Sequence, residues 1–157
     1  MKITLLVIGK TDAAYLTEGI GEYLKRLNHY IPFELEVIPD IRNKKNMTPE
    51  LQKIQEGDLI LAKLQPGREL HLFDENGNTF SSREFSKFIE RKMLAGIKEL
   101  VFVIGGPYGF SEKVYKNAAS KISLSKMTFS HQMARLVCVE QFYRAFTILK
   151  GEPYHHD

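Results

Sequence analysis

Apolar residues occur in short runs that alternate with segments of helical periodicity. A short apolar run over residues 3–9 predicts a buried strand, and the sequence ELVFVI over residues 99–104 predicts a further strand. Residues 33–38 alternate between apolar and polar side chains and end at a proline, which also predicts a strand. Two shorter strands are expected over residues 69–73, closed by a turn in the sequence DENGN, and over residues 121–125.

Helical spacing of apolar residues separates these strands. Residues 12–27 form one such segment, with Asp12 as the expected N-cap. Ser81 and Glu84 have the spacing of a capping box, which predicts a helix that ends at Gly96. Further helices are predicted over residues 111–119, with Ser111 as N-cap, and over residues 131–150.

The segment before the third strand has two interpretations. Residues 41–50 are short and basic and predict a surface loop rather than a linker between domains. Thr48 and Pro49 then provide an N-cap and a proline at the first helical position. Gly57 weakens the helix that follows by about 1 kcal/mol relative to alanine, so residues 58–62 could instead form a strand.

The alternation of strands and helices predicts an α/β fold with a mainly parallel sheet flanked by helices. We expect one domain over residues 1–157, because no repeat, low-complexity run or linker divides the chain. Binding sites in such sheets lie at the carboxyl ends of the strands. The glycine-rich loop over residues 105–109 follows a predicted strand and occupies such an end.

Composition and charge narrow the function classes. The net charge of +3 mildly favours an anionic partner such as nucleic acid. No apolar run has the length of a membrane helix, and the first residues do not resemble a signal peptide. The single cysteine, Cys138, excludes an internal disulfide and is typical of a reducing compartment, so we expect the cytoplasm and interpret Cys138 as a core thiol.

The glycine loop matches neither common phosphate-binding motif. It lacks the lysine of the ATPase phosphate loop, and its glycine spacing differs from that of the dinucleotide fingerprint. A binding site for a nucleotide phosphate is therefore disfavoured. A ligand that has an adenine or a ribose but no phosphate remains compatible with the loop. The alternative is a tight turn between strand and helix that binds nothing.

The sequence VIGGPYGF, followed by SLSKMTFSHQMARLVCVEQFYRAFTILKGEPYHH, resembles the pseudouridine N3-methyltransferases of large-subunit (23S) ribosomal RNA. These are small members of the SPOUT class, whose C-terminal chain forms a trefoil knot. The resemblance covers the whole chain and implies S-adenosylmethionine as co-substrate, without a metal. It also implies ribosomal RNA or the ribosome as partner, and a homodimer with the active site across its interface.

Carried over to this chain, the resemblance implies two sets of site residues. The cofactor pocket would use residues of three segments, with Gly105 and Gly106 allowing the cofactor to lie against the main chain. For Phe73, Leu124 and Phe129, plain core packing is the alternative. The implied cofactor-binding residues are Phe73, Gly105, Leu124, Ser125, Lys126, Met127, Thr128 and Phe129.

Arg144 and the tail carry the expected chemistry. Arg144 would stabilise negative charge on the base, although its spacing from Glu140 also fits a helical ion pair. Tyr154 or His155 would position the base or relay a proton. Such tails are commonly disordered. Neighbouring residues of an extended chain point apart, so we expect no metal site there, and we interpret the remaining histidines, His29, His71 and His131, as surface or packing residues.

The last predicted helix, residues 131–150, is apolar on nearly every face. A second subunit would cover such a helix, although it could also lie at the centre of a monomer. The resulting prediction is a homodimeric, S-adenosylmethionine-dependent ribosomal RNA methyltransferase. A non-enzymatic RNA- or ribosome-binding protein and a dinucleotide-dependent oxidoreductase are the alternatives.

Overall fold

A computed structural model describes residues 1–157 and contains one five-stranded sheet. All strand pairs are parallel, and the strand order is β2-β1-β4-β3-β5. The α/β fold with a parallel sheet is therefore confirmed. The strands are β1 (Lys2–Ile8), β2 (Phe33–Ile38), β3 (Arg68–Thr79), β4 (Glu99–Ile104) and β5 (Ser120–Ser123).

Five α-helices connect and cover the strands, and none has the length and apolar character needed to cross a membrane. The predicted caps are confirmed for three of them: Thr48, Ser81 and Ser111 each accept a backbone N–H of the first helical turn. The helices are α1 (Ala14–Leu27), α2 (Pro49–Leu61), α3 (Ser82–Leu94), α4 (Glu112–Asn117) and α5 (His131–Leu149), with a 3-10 turn at Lys44–Asn46.

Helices cover both faces of the sheet. On one face, α5 lies between α1 and α3, and aromatic residues such as Phe102 and Phe142 pack edge to face at the centre of the larger core (4.8 Å between ring centroids). On the other face, α2 and α4 cover a smaller core around Val101 and Val103. The trefoil knot concerns how the chain threads, which strand order and packing do not determine, so it stays a prediction.

Two local predictions are wrong because of contacts that are distant in sequence. Asp12 does not cap α1, because its backbone N–H donates to Oε1 of Gln132 on α5 (2.9 Å) and Ala13 becomes the N-cap. The alternative of a strand at residues 58–62 is also wrong, because α2 continues to Leu61. Gly57 lets α2 approach α4, since a Cβ there would lie 2.5 Å from Oγ of Ser111.

The sequence DENGN does not end β3, and this difference shapes the candidate site. Phe73 pairs with Ile122, and Asn78 of the same strand pairs again with Ile122. Residues 74–77 therefore bulge out of the strand, which then continues to Thr79 beside β5. The predicted closing turn is wrong, because local composition alone does not show that a partner strand takes up the chain again.

Candidate active site

A cleft of about 500 Å³ lies at the carboxyl ends of β3, β4 and β5. It is formed by the bulge after Phe73, the glycine loop after Ile104 and the segment that joins β5 to α5. Seven of the eight residues predicted to bind the cofactor line it, namely Phe73, Gly105, Leu124, Ser125, Met127, Thr128 and Phe129. Lys126 belongs to the same segment but is exposed and does not line the cleft.

The glycine loop is required by the protein's own packing. A Cβ at Gly105 would lie 2.9 Å from Cζ of Phe110, and a Cβ at Gly106 would overlap the carboxylate of buried Glu56. Both side chains belong to the loop or to α2 and not to a bound ligand. Packing within the chain is therefore sufficient by itself to require glycine at both positions. Gly105 and Gly106 both line the cleft, and the expectation that they let the cofactor lie against the main chain stays a prediction.

The segment between β5 and α5 is ordered by its own serines. Ser123 Oγ donates to the carbonyl of Ser125 (3.0 Å), and Ser125 Oγ accepts from the backbone N–H of Met127 (2.9 Å). Ser130 then caps α5 by accepting from the N–H of Met133 (3.2 Å). These bonds leave Met127 78% and Phe129 37% exposed at the rim, so core packing does not account for either side chain.

Phe73 and Leu124 differ from those rim residues because each faces both the core and the cleft. Phe73 stacks on Phe102 at 5.7 Å between centroids and meets Phe142 edge to face at 6.4 Å. Leu124 also packs against the larger core. Their alternative interpretation as packing residues is therefore compatible with a place in the cleft wall, because the core ends where the cleft begins.

Sequence reasoning missed the polar side of the cleft. Asp74, Glu75 and Asn76 of the bulge line it, together with Tyr115 of α4 and His131 of α5. Tyr115 donates its hydroxyl hydrogen to Asp74, and burial together with this bond raises the pKa of Tyr115 to about 12. The position of these residues just after a strand end was the available signal, but the turn composition of DENGN obscured it.

Arg144, Tyr154 and His155, the predicted catalytic residues, lie together around Glu140. Nη2 and Nε of Arg144 donate to Oε1 of Glu140 at 2.6 and 3.1 Å, so the helical ion pair exists. Tyr154 donates to the same oxygen (3.0 Å), and the Arg144 guanidinium lies 4.8 Å from its ring centroid. Nδ1 of His155 is 3.1 Å from Nη1 of Arg144.

Hydrogen bonding and partial burial tune this cluster. The bond to Glu140 raises the pKa of Arg144, which stays a cation. Burial, followed by the hydrogen bonds with Tyr23 and Glu140, raises the pKa of Tyr154, so its hydroxyl remains protonated at neutral pH. The cluster therefore presents a guanidinium and a neutral phenol as hydrogen-bond donors, beside an imidazole.

The tail is folded back on its own chain rather than extended. The ring of Tyr154 meets Tyr143 of α5 edge to face at 4.7 Å, and Asp157 accepts two hydrogen bonds from Arg83 of α3 (2.7 and 2.5 Å). The disorder that is common in such tails is absent here. The contact between two aromatic rings and one bidentate ion pair therefore hold the last four residues against α5 and α3.

Within one chain, the catalytic candidates lie apart from the cleft. Ala134 lines the cleft and Arg144 comes ten residues later on the same helix, which corresponds to about 15 Å along its axis. Arg144, Tyr154 and His155 are absent from the cleft lining. The two predicted sets of site residues are thus each assembled, but at different points along α5.

Cys138 and His71 are predicted to be packing residues, and the structure buries both. Cys138 is buried in the larger core, and burial raises the pKa of its thiol. His71 is also fully buried, stacked on Phe102, with Nδ1 2.7 Å from Oγ of Ser120. No three His, Cys, Asp or Glu side chains converge as metal ligands.

Comparison with known proteins agrees with this geometry. A family model described as a predicted SPOUT methyltransferase matches residues 1–155. A protein named ribosomal RNA large subunit methyltransferase H from Parabacteroides distasonis is 64% identical over 157 residues, which cover 100% of both chains. Proteins of the same name from Flavobacterium johnsoniae and Bacteroides fragilis are 60% identical over 156 residues (99% of both chains) and 54% identical over 157 residues (100% of both chains). The chain therefore belongs to the SPOUT methyltransferase family.

Proposed function

We propose that this protein is an S-adenosylmethionine-dependent methyltransferase that methylates N3 of a pseudouridine in large-subunit ribosomal RNA, on the assembled ribosome in the cytoplasm. The observation that carries the proposal is the cleft at the carboxyl ends of β3, β4 and β5, in which seven residues implied by the family meet. Relatives that match over their whole length are named as methyltransferases of this RNA.

The cleft suits the co-substrate in size and chemistry. Its volume of about 500 Å³ falls in the range of small-molecule pockets, roughly 300–1,000 Å³. Phe73, Leu124 and Phe129 offer apolar surface for an adenine, while the backbone of the glycine loop and of residues 124–129 offers donors and acceptors for its edge and the ribose. When bound, S-adenosylmethionine supplies an electrophilic methyl group on a sulfonium.

We further propose that the active site is completed across a homodimer. The helix α5 is buried against α1, α3 and the sheet on most of its circumference, so its apolar character is largely explained within one chain. A stripe that includes Met133 and Val137 remains half-exposed, and it leads from the cleft towards Arg144. A second copy that covers this stripe would bring one protomer's Arg144 and tail to the other's cleft.

The residues of this chain then have separate tasks. The three backbone segments of the cleft hold the co-substrate and orient it towards the base, which supplies much of the rate enhancement by proximity. When N3 of the base loses its proton, negative charge spreads over the neighbouring oxygens of the base. Arg144 stabilises this charge. Tyr154 or His155 positions the base by a hydrogen bond or relays the proton that leaves N3.

The reaction and the target are tested together by mass spectrometry of ribosomal RNA. RNA from a strain without the gene should lack one methyl group on one pseudouridine, and purified protein with S-adenosylmethionine should restore it on intact ribosomes. Calorimetry with S-adenosylmethionine separates an enzyme from a protein that only binds RNA. Unchanged modification of the RNA in the deleted strain, or absence of co-substrate binding by folded protein, would refute the proposal.

A further inference from the structure

A group of cations lies beside the cleft, in the loops that follow β1 and β2. Lys10 follows β1, and Arg42, Lys44 and Lys45 follow β2, all of them exposed. Lys44 pairs with Asp40 at 3.0 Å, a bond between exposed groups that contributes little. Lys10, Arg42 and Lys45 form no ion pair with any carboxylate of the chain.

The parallel sheet places these loops at the same edge as the cleft. The ends of the strands are level, because Ile8 pairs with Ile38 and Val7 pairs with Ile104. Since β1 is the direct neighbour of β4, the loop with Lys10 is next to the glycine loop, and β2 lies one strand further out. With about 4.8 Å between strands, the cations begin roughly 5–10 Å to one side of the cleft.

The first of these loops is held rigidly by buried polar groups of α5. Arg135 is almost fully buried and donates to the carbonyls of Ile8 (2.7 Å) and Gly9 (2.9 Å) and to Oγ1 of Thr11 (3.0 Å). Gln132 donates to the carbonyl of Lys10 (3.1 Å). The same first turns of α5 line the cleft, so the backbone that carries Lys10 is fixed relative to it.

The second loop presents its cations by a local turn. Asn43 adopts a left-handed conformation (φ 61°), and the 3-10 turn Lys44–Asn46 follows directly. This sharp turn projects the exposed side chains of Arg42, Lys44 and Lys45 from a short segment. Of these three cations only Lys44 has a carboxylate partner, the exposed Asp40. Closely spaced exposed cations bind an anionic polymer favourably, because binding releases the counterions of the polymer.

We propose that Lys10, Arg42, Lys44 and Lys45, here called the basic edge, bind the phosphate backbone of the RNA substrate on the β2 side of the cleft. This inference rests on the proposed function for the identity of the RNA. Contacts to phosphates fix the register and orientation of a nucleic acid and carry no sequence information directly. The basic edge therefore positions the RNA, and recognition of the base is left to the cleft and the tail.

The test compares two triple variants that remove the same charge. One carries Arg42→Gln, Lys44→Gln and Lys45→Gln at the basic edge. The control carries Lys25→Gln, Arg91→Gln and Lys98→Gln, which are exposed and lie in the last turns of α1 and α3 and directly before β4, at the opposite edge of the sheet. Thermal unfolding and calorimetry with S-adenosylmethionine should give wild-type results for both.

Binding to protein-free large-subunit ribosomal RNA and to intact ribosomes is then measured between 50 and 200 mM salt. The basic-edge variant should bind both more weakly at 50 mM, and its slope of log K against log salt should be shallower by about 0.7–0.9 for each phosphate that the variant no longer neutralises. The ratio of the wild-type binding constant to that of the basic-edge variant should therefore fall by about threefold for each such phosphate between 50 and 200 mM salt. The control variant should retain the wild-type slope.

Equal slopes for wild type and the basic-edge variant would overturn the proposal, as would an equal loss in the control variant. A loss seen with ribosomes but not with protein-free RNA would assign the basic edge to a ribosomal protein instead and would overturn it as well. Failure of the wild-type protein to methylate ribosomes would count against the proposed function. The comparison of RNA binding would still test whether the basic edge binds RNA.

Discussion

At Gly106, the absence of a side chain is required by a neighbour within the protein. The carboxylate of Glu56 occupies the space that a Cβ would need, and Gln52 donates to that carboxylate (2.8 Å). The backbone of Gly106 has no positive φ, so alanine meets only the steric conflict. Glu56 of α2 thus restricts the conformation of the glycine loop, and the same loop forms part of the cleft wall.

We predict that Gly106→Ala lowers the free energy of unfolding by about 1–3 kcal/mol, the usual cost of overpacking. In a Glu56→Ala background the same change should cost clearly less, because the obstructing carboxylate is gone. Denaturant unfolding of the four proteins in this double-mutant cycle measures the coupling. An identical cost in both backgrounds would show that Glu56 does not restrict the loop.

His71 makes the stability of the protein sensitive to acid. Burial lowers the pKa of His71 to about 4 from its ordinary value of 6.5. The charge of Glu69 raises this pKa and that of Lys92 lowers it, but burial is the largest effect. The folded state therefore binds fewer protons than the unfolded state between these values. The stabilisation is fully present above about pH 6.5 and is lost as the pH falls towards 4.

We predict that the free energy of unfolding decreases by roughly 1–3 kcal/mol from pH 6.5 to pH 4 through His71. His71→Gln should reduce this slope whatever its effect on stability at pH 7. His29→Gln, at an exposed histidine, is the matched control and should leave the slope unchanged. Denaturant unfolding across this pH range provides the measurement, and an unaltered slope in His71→Gln would contradict the assignment.

Arg144 has both a structural and a proposed chemical role, and a kinetic experiment separates them. Arg144→Ala should lower single-turnover methyl transfer by about a hundred- to a thousandfold at saturating co-substrate and ribosome, because one preorganised donor is removed. Co-substrate binding should be unchanged, since Arg144 does not line the cleft of its own chain and its proposed contact is with the base. The control is Arg91→Ala on α3. A near-wild-type rate for Arg144→Ala would reduce Arg144 to the ion partner of Glu140.

At the scale of elements, the tail behaves as part of the fold. Its side chains pack on α5 and pair with α3, which connects three segments that are distant in sequence. Its present position covers its own Arg144 and Glu140 rather than its own cleft. The composition of the tail alone predicts that its removal leaves stability almost unchanged, and the packing on α5 revises that expectation.

We predict that deletion of residues 154–157 lowers the free energy of unfolding by about 1–2 kcal/mol, mainly because it removes the Tyr154 ring from Tyr143 and the hydrogen bond to Glu140. Methyl transfer to ribosomes should be nearly abolished. Arg83→Ala breaks only the exposed pair with Asp157 and should have little effect on either quantity. Normal single-turnover transfer by the truncated protein would exclude the tail from the chemistry.

At the scale of the whole molecule, the distance between cleft and Arg144 requires a second copy if both act on one base. Light scattering should therefore give the mass of a dimer, twice 18.1 kDa, at micromolar concentration. Val137→Glu on the half-exposed stripe of α5 should weaken the dimer and methyl transfer together, whereas Lys87→Glu on α3 should affect neither. A stable monomer with full activity would refute the shared site.

The sequence by itself determined the features that depend on neighbouring residues. Strand periodicity, the caps at Thr48, Ser81 and Ser111, and the glycine loop at a strand end are local signals, and each is present as predicted. The seven cleft residues could also be named, because the resemblance supplied positions that periodicity does not distinguish from core packing.

Only the tertiary structure decided what distant segments do to one another. The bulge at residues 74–77 exists because β5 pairs again with β3, and Asp12 does not act as a cap because Gln132 reaches it from α5. The folded tail and the glycine at position 106 likewise depend on partners far away in the chain. Local propensities differ by only about 1 kcal/mol per residue, so a single packed contact or buried hydrogen bond overrides them.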